Sequence, residues 1–153
     1  TPVAILGDLQ GPKFRTGEQA TETIDLAVGA RIRLAFAPKT DTNAKGTAEK
    51  VYCPHENLMK ALQPDSRILI YDGAMELRVL EKLSELEAQC EVARGGALRA
   101  HKGLNVPSVV VPFPDLLEKD KRDALWMLQQ QLDYVGQSFV QTAADVVRLR
   151  DFW

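Results

Sequence analysis

Two short segments carry most of the side chains that could do chemistry. In the first, an acid, Asp8, stands a few residues before two cations, Lys13 and Arg15. The second segment, residues 95–107, is rich in glycine and contains Lys102. Glycine lets backbone approach a ligand closely, and a flexible lysine can reach phosphate oxygens. A carboxylate grouped with cations therefore indicates a phosphate or metal–phosphate site.

Each segment also has a purely structural explanation. Asp8 could end a strand and cap a turn, with both cations on the surface. The glycine-rich segment could be a hairpin with a solvated Lys102. A third feature, Asp72 between Tyr71 and Gly73, is typical of a plain β-turn, although its carboxylate could also face a ligand. Spacing alone leaves these alternatives open, because such short motifs match by chance.

Length and charge exclude several classes of protein. The 153 residues suit one domain, or one small domain with part of a second. The 19 Lys and Arg nearly balance the 21 Asp and Glu, so a few placed cations must meet any anionic ligand. Nucleic acid is therefore not expected as the main partner.

The sequence contains no membrane-spanning segment. No stretch approaches the length of a membrane span, which needs about 18 apolar residues, and the N-terminus lacks a secretory pattern. We expect a cytoplasmic protein without a membrane partner.

Two further features concern the cysteines and the ends of the chain. Cys53 and Cys90 fit neither a disulfide framework nor a metal site, so we expect reduced thiols that are buried or half-buried. The chain opens without a Met and stops within a helical pattern. We therefore expect a piece of a longer protein.

Hydrophobic patterning predicts sheet over the first 111 residues. Residues 3–7 form a continuous apolar run, expected as a strand buried on both faces within a parallel sheet. Residues 12–111 contain short alternating segments separated by turns, which predict an all-β barrel or sandwich. The expected strands there are 23–26, 32–36, 67–71, 75–79 and 88–92, with a short helix at 55–62 and one of the turns at Gly95-Gly96.

From residue 112 onward the pattern changes to helices and strands in alternation. It predicts a helix over 118–131, a strand over 134–140, and a second helix that Thr142 caps, with Asp145 three residues later. This order implies parallel βα units. We therefore expect residues 1–11 and 112–153 to belong to one α/β domain, with residues 12–111 inserted as an all-β domain.

Five segments, taken in chain order, resemble the signature segments of pyruvate kinase. They are residues 7–17 (GDLQGPKFRTG), 72–73 (DG), 101–107 (HKGLNVP), 118–121 (EKDK) and 133–140 (DYVGQSFV). The resemblance covers nearly the whole chain and implies the middle of that enzyme. That part comprises one strand of a (β/α)8 barrel, the entire inserted lid (B) domain and the following βα units. The implied fold class is a mainly β lid barrel inserted in an α/β (TIM-type) barrel fragment.

The resemblance also implies an activity and partners. Pyruvate kinases transfer a phosphoryl group from phosphoenolpyruvate to ADP, giving pyruvate and ATP in glycolysis, with Mg2+ and often K+. The parent protein would be a cytoplasmic homotetramer. Arg15 resembles the catalytic arginine that binds the transferring phosphoryl group and the nucleotide phosphates. Lys102 resembles the lid lysine that reaches the nucleotide, and Asp72 resembles the acid of the lid turn that faces it.

A monovalent cation site is implied near the first cluster. Asp8 resembles its carboxylate ligand, and Leu9 occupies the next ligand position, which contributes a backbone carbonyl. Leu9, Gln10 and Lys13 stand where K+-dependent members carry Thr, Lys and Glu, a combination that resembles the K+-independent bacterial branch. The ammonium of Lys13 could replace the charge of K+. We therefore expect a parent enzyme that uses Mg2+ and works without K+.

Four other positions depart from the family pattern. Tyr71 replaces the first Asp of the lid turn, Gln141 replaces an Arg, Leu117 replaces a helix-capping Thr, and Gln131 replaces a helix-ending Gly. Most of the family's Mg2+ ligands and its catalytic lysine fall outside this chain, so we expect the chain alone to be inactive. The alternatives are a non-catalytic nucleotide-binding β-barrel module and a regulatory homologue that keeps the lid without catalysis.

Overall fold

The chain divides into two compact units. The structure, a computed structural model, describes residues 2–107, 109–111 and 116–153. The first unit is Thr1–Lys13 with Pro112–Trp153, and the second is Phe14–Val111. The predicted boundary at residue 112 lies outside the described residues. In chain order the elements are β1 Leu6–Leu9, β2 Ile24–Leu26, β3 Arg31–Phe36, β4 Lys50–Cys53, α1 Glu56–Ala61, β5 Arg67–Ile70, β6 Met75–Ser84, β7 Glu87–Arg94, β8 Gly96–Leu98, β9 Leu104–Asn105, α2 Glu118–Gln129, β10 Tyr134–Gln137 and α3 Ala143–Phe152.

The first unit is built on a parallel strand pair covered by helix. Strands β1 and β10 pair in parallel, with Leu6 opposite Tyr134, which confirms the parallel arrangement expected from the element order. One face of the pair carries the hydrophobic core of this unit. That core consists of Leu9, Ala124, Met127 and Leu149, with Leu116, Leu132, Val135 and Phe152 packed against it.

The prediction for the first strand is wrong in place and in burial. The strand is Leu6–Leu9, not residues 3–7, and Val3 and Leu6 are 81% and 59% exposed. Only alternate residues of β1 are buried, because helix α2 packs on one face and β10 is the one strand beside it among the described residues. The predicted strand over 134–140 is also too long. It stops at Gln137, and Phe139 turns the chain with a φ of 61°.

Two of the four positions that depart from the pattern of the resembled family lie at the ends of α2. Leu117 is the N-cap, and its side chain makes no capping hydrogen bond. Gln131 has a φ of 56°, the left-handed conformation for which helix ends favour glycine. Its N–H donates to the carbonyl of Leu128, and the next N–H, that of Leu132, donates to Met127. This is a Schellman motif, in agreement with the helix-ending glycine that the resemblance implies at this position. The helix predicted over 118–131 is too long, because it ends at Gln129.

The second unit is mainly sheet. Six strands follow the order β4-β3-β7-β6-β5-β9, and β2 pairs with β8 separately. All pairs are antiparallel except β3 with β4. Inward side chains alternate along the strands, as with Ile32 and Leu34 on β3, so the predicted sheet patterning is confirmed. Strand β6 runs five residues beyond its predicted end, and the short helix α1 lies within the predicted range of 55–62.

The turn predicted at Gly95-Gly96 is absent. Strand β7 ends at Arg94, and β8 begins at Gly96 and pairs with β2 in the other sheet. A Cβ at Gly95 would lie 2.2 Å from the carbonyl oxygen of Leu26, so only glycine fits this close approach of two backbones. The glycines therefore serve a strand crossing between sheets, which the sequence pattern does not distinguish from a hairpin.

Both cysteines are free and buried, as predicted. Burial raises the pKa of the Cys53 thiol and of the Cys90 thiol to about 12, so both stay protonated and unreactive near neutral pH. None of the three helices that the structure describes is long and apolar enough to span a bilayer.

Candidate functional site

In the second unit, the segment that carries Arg15 lies alongside the segment that carries Lys102. The N–H of Thr16 donates to the carbonyl of Lys102 at 2.8 Å, and the N–H of Lys102 donates to Thr16 Oγ1 at 2.9 Å. The N–H of Leu104 donates to the carbonyl of Phe14 at 3.0 Å. Thr16 is 1% exposed, so its side chain is a buried link between the two segments. The backbones of Arg15 and Lys102, the two cations predicted to bind phosphate, are thus fixed side by side.

The Arg15 side chain is exposed, but hydrogen bonds hold both its guanidinium and the backbone of the residue. Nη1 donates to the carbonyl of His101 at 2.9 Å, and the backbone N–H donates to His55 Nε2 at 3.1 Å. Burial, with a smaller effect of Lys39, lowers the pKa of His55 to about 4, so the ring is neutral and Nε2 accepts the hydrogen bond. The ring of Phe14 packs edge-on against His55, with ring centroids 5.1 Å apart. The remaining guanidinium donors are available to an anion.

The Lys102 side chain rests on an aromatic ring. Its Nζ lies 4.7 Å from the centroid of the Tyr71 ring, within the range of a cation–π interaction. The backbones are joined as well, because the N–H of Tyr71 donates to the carbonyl of Gly103 at 3.0 Å. The connection between β5 and β6 is therefore attached to the segment that carries Lys102.

Asp72 lies in that connection, in a tight turn. The N–H of Ala74 donates to the carbonyl of Tyr71 at 3.0 Å, and φ is 54° at Asp72 and 88° at Gly73. Positive φ at both central residues is the mark of a type I′ hairpin turn, for which Asp-Gly is a favoured pair. The predicted β-turn is confirmed. The guanidinium of Arg94 donates to the carbonyl of Gly73, and the Asp72 side chain is exposed.

Asp8 and Leu9 lie in the first unit, on opposite faces of β1. The Asp8 side chain is exposed, and its Oδ1 accepts a hydrogen bond from Ser138 Oγ at 3.3 Å. The Leu9 side chain is 1% exposed and belongs to the core, so any contact of Leu9 with a ligand would have to come from its backbone carbonyl. A carboxylate beside a hydroxyl suits a hard cation, which prefers oxygen ligands. Among the described residues, no group of three His, Cys, Asp or Glu side chains could hold a metal ion.

Lys13 lies in the same unit as Asp8, at the end of the Gly11 turn. Its N–H donates to the carbonyl of Gly11 at 2.9 Å, and its side chain is exposed. Within the described part of the chain, no ion pair joins Lys13 to Asp8. The substitution of its ammonium for K+ therefore stays a prediction.

Comparison with known proteins decides the family. All of the chain, residues 1–153, matches the family model described as pyruvate kinase, barrel domain. This chain belongs to the pyruvate kinase family. The family predicted from the sequence is thereby confirmed, and the fold is that of the pyruvate kinase barrel domain.

Individual pyruvate kinases show how much of the enzyme is present. The chain is 33% identical over 150 residues to the pyruvate kinases of Staphylococcus aureus strains USA300 and COL, which covers 97% of this chain and 25% of each relative. A crystal structure of a pyruvate kinase from Cryptosporidium parvum matches with a TM-score of 0.88 and 31% identity, over 99% of this chain and 30% of that one. The chain thus spans between a quarter and a third of the length of these pyruvate kinases.

The sequence did not point to three residues that fix the candidate segments. Thr16 and His55 hold segments of the second unit, and Asp120 holds a turn of the first unit. Asp120 is 4% exposed, and its Oδ1 accepts the N–H of Gly11 at 3.2 Å, which fixes the turn after β1. Asp120 stands in the first turn of α2, where acids are common, but nothing in the sequence identifies a partner 109 residues away.

Proposed function

We propose that this chain is the central part of a longer pyruvate kinase, which transfers the phosphoryl group of phosphoenolpyruvate to ADP and yields pyruvate and ATP. In this proposal, residues 12–111 are the lid inserted in a (β/α)8 barrel, and β1, α2, β10 and α3 contribute to that barrel. The observation that carries the proposal is the reciprocal pair of hydrogen bonds between Thr16 and Lys102. Together with the family, it supports a shared phosphate site for Arg15 and Lys102.

The two cations contribute in different ways. Arg15 uses one donor on the His101 carbonyl and keeps a planar fork for bidentate contact with phosphate oxygens. Lys102 supplies a compact point charge on a flexible stem. In phosphoryl transfer the protein acts mainly by positioning and by stabilising charge on the transferred group, so two fixed cations suit the reaction. The Asp72 turn is proposed to face the nucleotide.

Metal ions complete the proposed chemistry. Mg2+ neutralises charge on the nucleotide phosphates in such enzymes, and most of its ligands are proposed to lie beyond this chain. The carboxylate of Asp8, the hydroxyl of Ser138 and the carbonyl of Leu9 are the oxygens that would hold a monovalent cation. We propose that the Lys13 ammonium takes over its charge, so that the enzyme works without K+.

The test is pyruvate formation from phosphoenolpyruvate and ADP by the full-length protein, with Mg2+, at zero and at saturating K+. We expect similar rates in both conditions. Activity that appears only with K+ would support the proposed pyruvate kinase activity but contradict the role of Lys13. If no pyruvate forms in either condition, the proposed activity is rejected. ADP binding without pyruvate would instead favour the regulatory homologue. The 153-residue chain alone is expected to give no turnover.

The family also implies an assembly and a location for the parent protein. We propose a cytoplasmic homotetramer without nucleic acid or membrane partners. Light scattering of the full-length protein after gel filtration measures its mass and tests the tetramer.

A further inference from the structure

Tyr71 has an unusual backbone conformation for an aromatic residue. Its φ of 54° lies in the left-handed region, where bulky side chains are rare. Hydrogen bonds fix it there, because its N–H donates to the Gly103 carbonyl and its own carbonyl accepts the N–H of Ala74, each at 3.0 Å. Such conformations persist where the surroundings determine them, and they cluster at functional sites. The role of the ring therefore needs an explanation.

The ring holds the free end of Lys102. Tyr71 is 55% exposed, and the Lys102 ammonium lies 4.7 Å from its centroid. The backbone of Lys102 is already held by Thr16. The side chain is therefore restrained at both ends, which removes much of the rotamer freedom that an exposed lysine otherwise keeps. The N–H groups that point away from the ring remain able to bind an anion.

The turn that presents the ring is itself anchored. The Arg94 guanidinium donates to the Gly73 carbonyl and lies 3.9 Å from Glu76 Oε2. Glu76 in turn forms an ion pair with Arg67 at 2.7 Å. These contacts join the turn to strands β5, β6 and β7, so the position of the Tyr71 ring is set by the sheet.

We propose that Tyr71 is a positioning residue for nucleotide binding, which holds the Lys102 ammonium in place for the phosphates of a nucleoside diphosphate. Less side-chain freedom is then lost when the ammonium meets the phosphates, so binding is tighter. The inference rests on the nucleotide-binding role proposed above for Lys102. It differs from that proposal in assigning a function to a residue that replaces an acid of the family pattern.

The experiment compares two substitutions in the full-length protein by titration calorimetry with ADP and Mg2+. Tyr71→Asn removes the ring, while Asn tolerates the left-handed conformation and keeps the turn. Tyr71→Phe keeps the ring. From the usual strength of an exposed cation–π pair, Asn is expected to raise the Kd for ADP about two- to fivefold, and Phe is expected to restore the original affinity.

Two controls separate positioning from a structural effect. In a Lys102→Gln background, Tyr71→Asn is expected to cause no further loss of affinity. Lys45→Gln removes a lysine charge from an exposed loop of the same unit and is expected to leave the Kd unchanged. In the proton NMR spectrum, the Lys102 side-chain signals are expected to move upfield under the ring in the original protein and with Phe, but not with Asn.

Each result decides the matter. Equal or tighter ADP binding by the Asn variant, an effect that persists without Lys102, or the absence of the upfield shift overturns the inference. If the original full-length protein does not bind ADP, both the inference and the proposed function are overturned. The expected binding pattern without any pyruvate formation would reject only the proposed function.

Discussion

The buried hydroxyl of Thr16 gives the sharpest test of how the site is held. Thr16→Val keeps the shape of the side chain and removes the acceptor for the Lys102 N–H, which is 2.9 Å away and partly buried. The backbone bond from Thr16 N–H to the Lys102 carbonyl remains. No cavity forms, so the loss is that of one hydrogen bond with its donor left unpaired. We expect the free energy of unfolding to fall by about 1–2 kcal/mol.

A matched control is present in the same unit. Thr47 Oγ1 accepts the N–H of Glu49 at 3.3 Å in an exposed loop. Thr47→Val removes the same kind of bond where water can replace it, and a change below about 0.5 kcal/mol is expected. Thr16→Ser keeps the hydroxyl and loses a methyl group, so it is expected to cost about 1 kcal/mol in stability without weakening ADP binding.

Urea unfolding of the 153-residue chain, followed by far-UV circular dichroism, measures these differences. The chain has two tryptophans, Trp126 and Trp153, and both lie in the first unit, so their fluorescence reports that unit separately. The loss caused by Thr16→Val should appear in the dichroism signal and leave the fluorescence transition unchanged. A loss no larger than that of Thr47→Val, or one confined to the fluorescence signal, would show that Thr16 does not hold the two segments together.

Three further substitutions test other contacts. Asp120→Ala leaves the N–H of Gly11 buried without an acceptor and should lower the unfolding free energy by about 1.5–3 kcal/mol, measured by tryptophan fluorescence in urea. Gln131→Gly relieves a left-handed φ of 56° and should raise the free energy of unfolding by about 1 kcal/mol in the same assay. An unchanged free energy of unfolding would show that Gln131 is not strained. Because burial lowers the folded pKa of His55 from 6.5 to about 4, the unfolded chain binds more protons between these values. Dichroism-monitored stability should therefore fall as pH drops from 6.5 to 4, by at most about 1.4 kcal/mol per pH unit, and His55→Gln should flatten that slope.

The sequence predicted features that depend on local chemistry. Thr142 is the N-cap of α3 as expected, and Asp72-Gly73 forms a tight turn, because Thr favours the N-cap position and Asp-Gly favours positive φ. It failed where distant segments decide the outcome. The apolar run before Leu6 is not the paired strand, since pairing with β10 sets its position. Likewise, the link from Thr16 to Lys102 joins residues 86 positions apart.

The contacts of Arg15 and Lys102 have a common logic. Each residue is held at its backbone by a buried or half-buried partner, His55 or Thr16, and at its charged end by a second contact, the His101 carbonyl or the Tyr71 ring. Ordering these long side chains costs conformational entropy. Folding of the second unit orders them before any ligand binds, so this cost does not fall on binding. All of these partners lie within residues 14–111, so the mutual geometry of the two cations is set by that unit alone. Removal of the Thr16 hydroxyl or of the Tyr71 ring should therefore change nucleotide affinity even though neither side chain needs to touch the nucleotide.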